Sequence, residues 1–299
     1  MKSIIYILVS CIVICVSEPV QACDGCGGNI GLSLNSLLNV NNSSFLSMRW
    51  DRATFVSTET SDHDIHDRFD VLQLVGRYRI DSRFAVLASV PYVNNGRVDG
   101  AIDQGLSGLG DATIGVTYAV INEARANTSI YAELGARVKL PTGKYEEALH
   151  NIDLPQNFNV GTGGVGYIGT ASVAAKGQSS GLVYSMSYSY EGRSPNGYKF
   201  GSSWLSRLTA YKSQSLGGEL TLVGVAGLQY EDKAKEQYKT QVVVESSGGR
   251  GLFVPLSLGL SMNGWVMQSE VALPLYQNFI NNELNSNPKW SVQLIYFIK

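Results

Sequence analysis

Two short runs carry the side chains most able to do chemistry. Near the amino end, Cys23 and Cys26 stand in C-D-G-C-G-G. Two thiols at that spacing could close a small disulfide loop, act as a redox pair or supply half of a soft-metal site. No thioredoxin-like strand and helix pattern follows that would favour the redox use. Further on, S-D-H-D-I-H-D-R sets His63 and His66 among Asp62, Asp64 and Asp67. Imidazoles and carboxylates that close could hold zinc or copper, and they suit a solvated loop tip equally well. Cys23, Cys26, His63 and His66 are therefore the candidate metal ligands.

Catalysis has less to work with. The three histidines are His63, His66 and His150, all in segments expected to be loops, so no Ser-His-Asp or Cys-His constellation forms. Glu133 and Glu191 could serve as acid and base, but both belong to a mixed-sign set of the kind that lines pores. The run G-T-G-G-V-G at 161–166 resembles a phosphate cradle, yet a strand follows it where a helix is needed, so it is read as a flexible loop end. No catalytic residue and no cofactor are implied, and the chain is not expected to be an enzyme.

Of the 299 residues, 44% are hydrophobic and only 16% charged, well below the usual ~25% charged. Much of the surface must face something other than water, or be covered by uncharged polar groups. A formal net charge of -2 leaves no basic footprint for a phosphate backbone, which excludes nucleic acid as a partner. Lys2, the apolar run from Ile4 to Val16 and the break at Ser17-Glu18-Pro19 read as a signal peptide over residues 1–22, ending at Val20-Gln21-Ala22. Cleavage there puts Cys23 first, which allows either ordinary processing or acylation of that cysteine. Cys11 and Cys15 leave with the signal. Residues 23–45, rich in Gly, Asn and Ser, suit a plug or a periplasmic tether.

From Leu46 to the end, apolar and polar residues alternate with period two. In the clearest run, Ile130, Ala132, Leu134, Ala136, Val138 and Leu140 share one face, and Tyr131, Glu133, Gly135, Arg137 and Lys139 the other. About twelve such strands are predicted: 46–56, 70–80, 84–92, 110–120, 130–140, 164–175, 182–191, 202–211, 220–231, 252–262, 265–275 and 290–299. The connections alternate long and short, from the long Ser57 to Phe69 through the tight Asp81-Ser82 and the long Val93 to Ser107, down to the two-residue Asn263-Gly264. Long loops at one rim, tight turns at the other and an even strand number describe an all-β, antiparallel up-and-down transmembrane barrel over residues 46–299.

The two faces support that choice. With the apolar face toward lipid, the lumen receives Arg77, Arg79, Asp111, Glu133, Arg137, Lys139, Glu191, Arg207, Glu231 and Glu270, together with Arg49 and Asp51. Arg77, Arg79, Glu133, Arg137 and Lys139 lie on nearby strands and could form a charged ladder across it. Tyr78, Tyr92, Tyr118, Tyr190, Tyr230, Trp290 and Tyr296 fall on the apolar face near strand ends, as an aromatic girdle would. Arg52 is the main charge expected on the lipid side. A soluble barrel turned inside out keeps the same alternation, but twelve strands enclose more space than side chains fill.

Specific residues carry a resemblance. R-Y-R-I at 77–80, V-P-Y at 90–92, G-L-S-G-L-G-D-A-T-I-G-V-T-Y at Gly105 to Tyr118 and K-L-P-T-G-K at Lys139 to Lys144 resemble the outer-membrane transporter-like β-barrels of the meta-pathway phenol degradation family. The resemblance spans most of the mature chain and rests chiefly on G-L-G-D and L-P-T-G. It implies a barrel in the outer membrane of a Gram-negative bacterium, placed there by the barrel assembly machinery. Such a barrel sits in outer-membrane lipid and passes a small, hydrophobic or aromatic solute. The competing expectation is a surface protein that is structural, or that handles copper or zinc through the cysteines and the His-Asp run.

Overall fold

A computed structural model describes residues 43–57, 65–124, 127–146, 148–149, 154–239, 242–280 and 284–298. The signal sequence and nearly all of the cysteine-bearing segment lie outside the described residues. Strand after strand, the alternating pattern becomes a wall. β1 (Ser44–Ser57), β2 (Ile65–Arg79), β3 (Phe84–Asp99), β4 (Ile102–Leu109), β5 (Thr113–Ala124), β6 (Ser129–Lys139), β7 (Gly166–Lys176) and β8 (Ser180–Tyr190) make up the first half. β9 (Tyr198–Lys199), β10 (Ser203–Gly217), β11 (Leu220–Lys233), β12 (Gln237–Tyr238), β13 (Val242–Val243), β14 (Gly249–Met262), β15 (Trp265–Phe279), β16 (Leu284–Ser286) and β17 (Lys289–Ile298) complete it.

Twelve of these close the barrel in the order β1, β2, β3, β5, β6, β7, β8, β10, β11, β14, β15, β17, each antiparallel to its neighbours. β17 returns to β1 with Ser44 opposite Ile298 and Arg52 opposite Trp290, which removes the open edge that any flat sheet would leave. The meander is the predicted all-β barrel. Tight turns gather at the end where Ser44 and Ile298 lie. Asn263 and Gly264 take positive φ of 52° and 80° and join Met262 to Trp265, the backbone that a two-residue hairpin following the strand twist requires.

The structure corrects the expected strand limits on the loop side. β2 begins at Ile65, so His66 is no loop residue: it sits in the ladder opposite Val56 and Val98. The stretch 93–107, expected as a loop, is a hairpin in which β3 runs on to Asp99, turns at Gly100 and returns as β4. Its polar composition explains the miss, since a hairpin that rises beyond the lipid has no apolar face to betray its period. Pro91, without an N–H to give the ladder, marks the place where β3 changes partner from β5 to β4.

Side chains outside the wall are apolar and exposed, as at Leu134, Leu208 and Leu258. Two aromatic belts bound them. Near the turns, Phe84 packs on Tyr118 with ring centroids 4.9 Å apart and Trp265 on Tyr296 at 4.7 Å. Near the loops stand Tyr92, Trp290, the pair Tyr167–Tyr190 and the pair Tyr188–Trp204. From Phe84 to Tyr92, at ~3.3 Å per residue and a tilt of ~40°, the belts are about 20 Å apart along the axis, a height that suits an outer-membrane apolar band.

Arg52, the main exception expected on the outer wall, is joined there by Arg68 and Asp70. Arg52 donates to Asp70 at 2.7 and 3.0 Å, and Arg68 lies 3.3 Å from the same carboxylate. The group stands one step loopward of Trp50 and Tyr92, where a headgroup layer replaces hydrocarbon and charge costs little.

Candidate functional site

The interior is built in layers. Toward the turns, Phe45, Tyr131, Val183, Tyr211, Val223 and Ile295 belong to one buried apolar cluster drawn from strands around the wall. Above it lies a layer of ion pairs. Arg77 donates through Nη1 to Glu133 at 3.0 Å and pairs a second time through Nη2, while the Tyr131 hydroxyl donates to the same carboxylate at 2.6 Å. Arg207 grips Glu270 in the same two-pronged way, with Nη1 to Oε1 at 3.0 Å, and also donates to Gln229 at 3.1 Å. Arg49 folds onto Asp51 at 2.7 and 2.9 Å. Lys139 pairs with Glu191, which also accepts from the Ser189 hydroxyl at 2.7 Å. Glu231 accepts from Lys289 at 2.6 Å and from Gln229 at 2.7 Å. Paired forks of this kind hold their charges where an isolated one would be costly.

Among the residues expected in the lumen, Arg77, Glu133, Lys139, Glu191, Arg207, Glu231 and Glu270 thus come together as pairs. The possible ladder is divided: Arg77 pairs with Glu133, Lys139 turns to Glu191, Arg79 stands exposed at the turn rim, and Arg137 has no partner among the described residues. Lys289 was missed, although it is one residue before the outward Trp290 and period two alone would have turned it inward.

Asp111 occupies a different position, at the root of the longest loop. Its Oδ1 accepts from the Gly143 N–H at 3.0 Å, and its Oδ2 from the Thr162 N–H at 2.8 Å and the Thr162 hydroxyl at 2.7 Å. Beside it, Thr142 Oγ1 accepts from Ala112 N–H and donates to Gly110 O. G-L-G-D, L-P-T-G and the G-T-G at 161–163 therefore converge on one carboxylate. A Cβ on Gly161 would lie 2.5 Å from the Gly143 carbonyl, and one on Gly143 2.9 Å from Gly110 Cα. Backbones meet there too closely for any side chain. The reading of G-T-G-G as a merely flexible loop end is overturned: it is one limb of this clasp.

The clasped loop turns back into the barrel. Leu149, Leu154 and Phe158 are buried with Phe55, Phe69, Phe253 and Phe279 in a second apolar cluster at the mouth. Phe158 lies 5.1 Å from Phe69, its carbonyl accepts from Asn95 Nδ2 at 3.0 Å, and Arg97, bound to Asp67 by two 2.7 Å bonds, covers its ring. Between the mouth and the ion pairs is a chamber with about 1540 Å³ of open space, solvent included, lined among others by Gln73, Asn95, Thr113, Lys139, Arg207 and Glu231.

Cys23, Cys26 and His63 lie outside the described residues. His66 is exposed on the outer wall, and no group of three or more metal-ligating side chains forms among the described residues.

An apolar, doubly belted exterior around a polar, ion-paired interior defines a β-barrel of the outer-membrane type. In fold the chain is similar to the COG4313 outer membrane channel from Pseudomonas putida F1, with a TM-score of 0.63 at 13% identity over 86% of this chain and 96% of that one. The beta domain of the Bordetella autotransporter BrkA gives 0.44 at 9% identity, covering 86% and 100%, and the NanC porin 0.41 at 10%, covering 85% and 100%. At such identities the likeness is one of fold. No protein-family model matches the chain, and no curated protein matches it.

Proposed function

We propose that this protein is a passive channel of the outer membrane for small molecules. One observation carries the proposal: the polarity of the wall is inverted, with apolar residues outside between aromatic belts and buried, mutually neutralised charges inside facing a solvent chamber. A soluble barrel would have no use for that inversion. Cross-lumen pairs narrow the bore without giving it a strong field, which favours a size filter over a pump.

The resemblance to the meta-pathway phenol degradation family points to an aromatic or otherwise hydrophobic solute, and Phe69 and Phe200 on the chamber wall support it. Arg77, Glu133, Lys139, Glu191, Arg207, Glu231 and Glu270 line the path in this proposal, and the amino-terminal segment expected over residues 23–45 acts as its periplasmic tether or plug. Purified protein in a planar bilayer tests it: steady unitary conductance is expected, and a barrel that stays electrically silent in both polarities would overturn the channel.

A further inference from the structure

We propose that Arg137, with the neutral belt Gln73–Ser89–Thr113, forms a binding station in the lumen for a small carboxylate with an apolar body. The proposal rests on the channel reading and names what such a channel would recognise.

The cations of the inner wall are matched almost one for one. Arg49, Arg77, Arg97, Lys139, Arg207, Lys233 and Lys289 each hold a carboxylate. Arg137 is on the same inward face of β6 as Glu133 and Lys139, and among the described residues no hydrogen bond or ion pair reaches it. Leaving a guanidinium unmatched in a partly enclosed wall is unfavourable unless something else supplies the anion.

Strand tilt sets which residue stands level with it. Arg77 on β2 meets Glu133 on β6. Four residues loopward of Arg77 on β2 stands Gln73, and four residues loopward of Glu133 on β6 stands Arg137. The same step that brings Arg77 to a carboxylate therefore brings Arg137 level with an amide. Gln73 is not isolated. Its Nε2 donates to Ser89 Oγ at 3.3 Å, and Ser89 Oγ is 2.8 Å from Thr113 Oγ1, so a chain of neutral donors crosses β2, β3 and β5 toward β6. Gln73 and Thr113 both line the chamber.

Gly115 shapes the station further. Gly115 stands opposite Arg137, and a Cβ there would lie 2.5 Å from Arg137 Cγ. The glycine is what lets the arginine stem lie flat across the wall. A planar carboxylate matches the guanidinium fork, the Thr113 hydroxyl on the chamber wall can donate to its remaining lone pairs, and Ile168, directly opposite Arg137 on β7, offers an apolar wall to the rest of the molecule.

The test uses the full chain purified in detergent, titrated calorimetrically with sodium benzoate and, for comparison, with neutral benzyl alcohol. Benzoate is expected to bind, to lose about tenfold or more in affinity in Arg137→Gln, as expected for one charge-assisted pair, and to keep most of it in Arg137→Lys. Benzyl alcohol is expected to bind all three alike. Gln73→Glu gives a second route that leaves the arginine in place: the new carboxylate should occupy Arg137 and displace benzoate. Benzoate binding that is absent from the native chain, or indifferent to both Arg137→Gln and Gln73→Glu, would overturn the site. Binding is read without current, so the two proposals fail separately: a conducting barrel that ignores benzoate loses the site, and a silent barrel that binds it loses the channel.

Discussion

Arg77 on β2 and Glu133 on β6 join across three strand intervals, and Arg207 on β10 and Glu270 on β15 repeat the geometry on the other half of the barrel. Following the ladder from Arg77 through Leu87 and Gly115 leads to Arg137, four residues loopward of the actual partner. Following it from Arg207 through Gln229 and Phe253 leads to Pro274, again four residues loopward of Glu270. The shared offset is the stagger that closes tilted strands into a cylinder. Residues at one height in the lumen are not those paired in the sheet.

Breaking one end of such a pair leaves a buried charge without its counter-ion. Glu133→Gln is expected to destabilise the barrel by ~3–5 kcal/mol, while a double change to Arg77→Leu and Glu133→Leu costs markedly less because nothing charged is stranded. The loss of the compact, heat-modifiable band on semi-native gels, followed against temperature, reads both. A double variant worse than the single would mean that the pair itself, and not the avoided stranding, holds the wall.

Much of the fold was legible because lipid outside and water inside impose opposite demands on successive residues. Ile130 to Lys139 shows this in one strand. What could not be read was any feature set by tilt: the sequence places Arg77, Arg137 and Glu133 on inward faces but says nothing of which two share a height. The β3–β4 hairpin was hidden for a different reason, since above the lipid both of its faces are polar. Asp111 stood out as a charge expected in the lumen, yet its role depends on Gly143 and Thr162, which lie 32 and 51 residues away along the chain.

The outward face of β6 gives the most direct check of the wall. Leu134 is 54% exposed on the outside and Glu133 is buried inside. Leu134→Arg near the midplane should cost about 2–4 kcal/mol and sharply lower the amount of folded barrel recovered, whereas Leu134→Ala should change little. A cysteine at 134 should resist a water-soluble thiol reagent in intact membranes. Ready labelling there would place this face in water and reverse the orientation of the wall.

The turn between β2 and β3 carries a dependence on pH. Asp81 accepts from the N–H groups of Arg83 and Phe84, both at 2.7 Å, and the Arg83 bond, then the Phe84 bond, hold its carboxyl below the usual carboxylate value. A depressed folded value means that the contribution is present above the unfolded pKa and is lost as pH falls through the folded one. Native barrel should therefore tolerate pH 6 better than pH 3 by a margin that shrinks in Asp81→Asn, which keeps an acceptor but cannot ionise. Asp81 is fully exposed, so the effect is small and belongs to the turn. An unchanged margin in Asp81→Asn would assign the pH dependence to the buried carboxylates instead.

The clasp at Asp111 ties together both limbs of one loop. Its two oxygens take three donors from both limbs of the loop that carries Leu149, Leu154 and Phe158 into the mouth. Removing them in Asp111→Ala leaves two backbone N–H groups without acceptors, at roughly 1–3 kcal/mol each if they stay buried. The cheaper response is for the limbs to separate and meet water. Separation would withdraw Phe158 from Phe69 and widen the entrance, so Asp111→Ala should raise unitary conductance and admit larger solutes in liposome swelling. Asp111→Asn, which keeps one carbonyl acceptor, should fall between. Phe158→Ala offers the complementary change, enlarging the mouth while leaving the clasp closed. If Phe158→Ala widens the channel and Asp111→Ala does not, the loop is held by its apolar tip and the clasp serves folding alone.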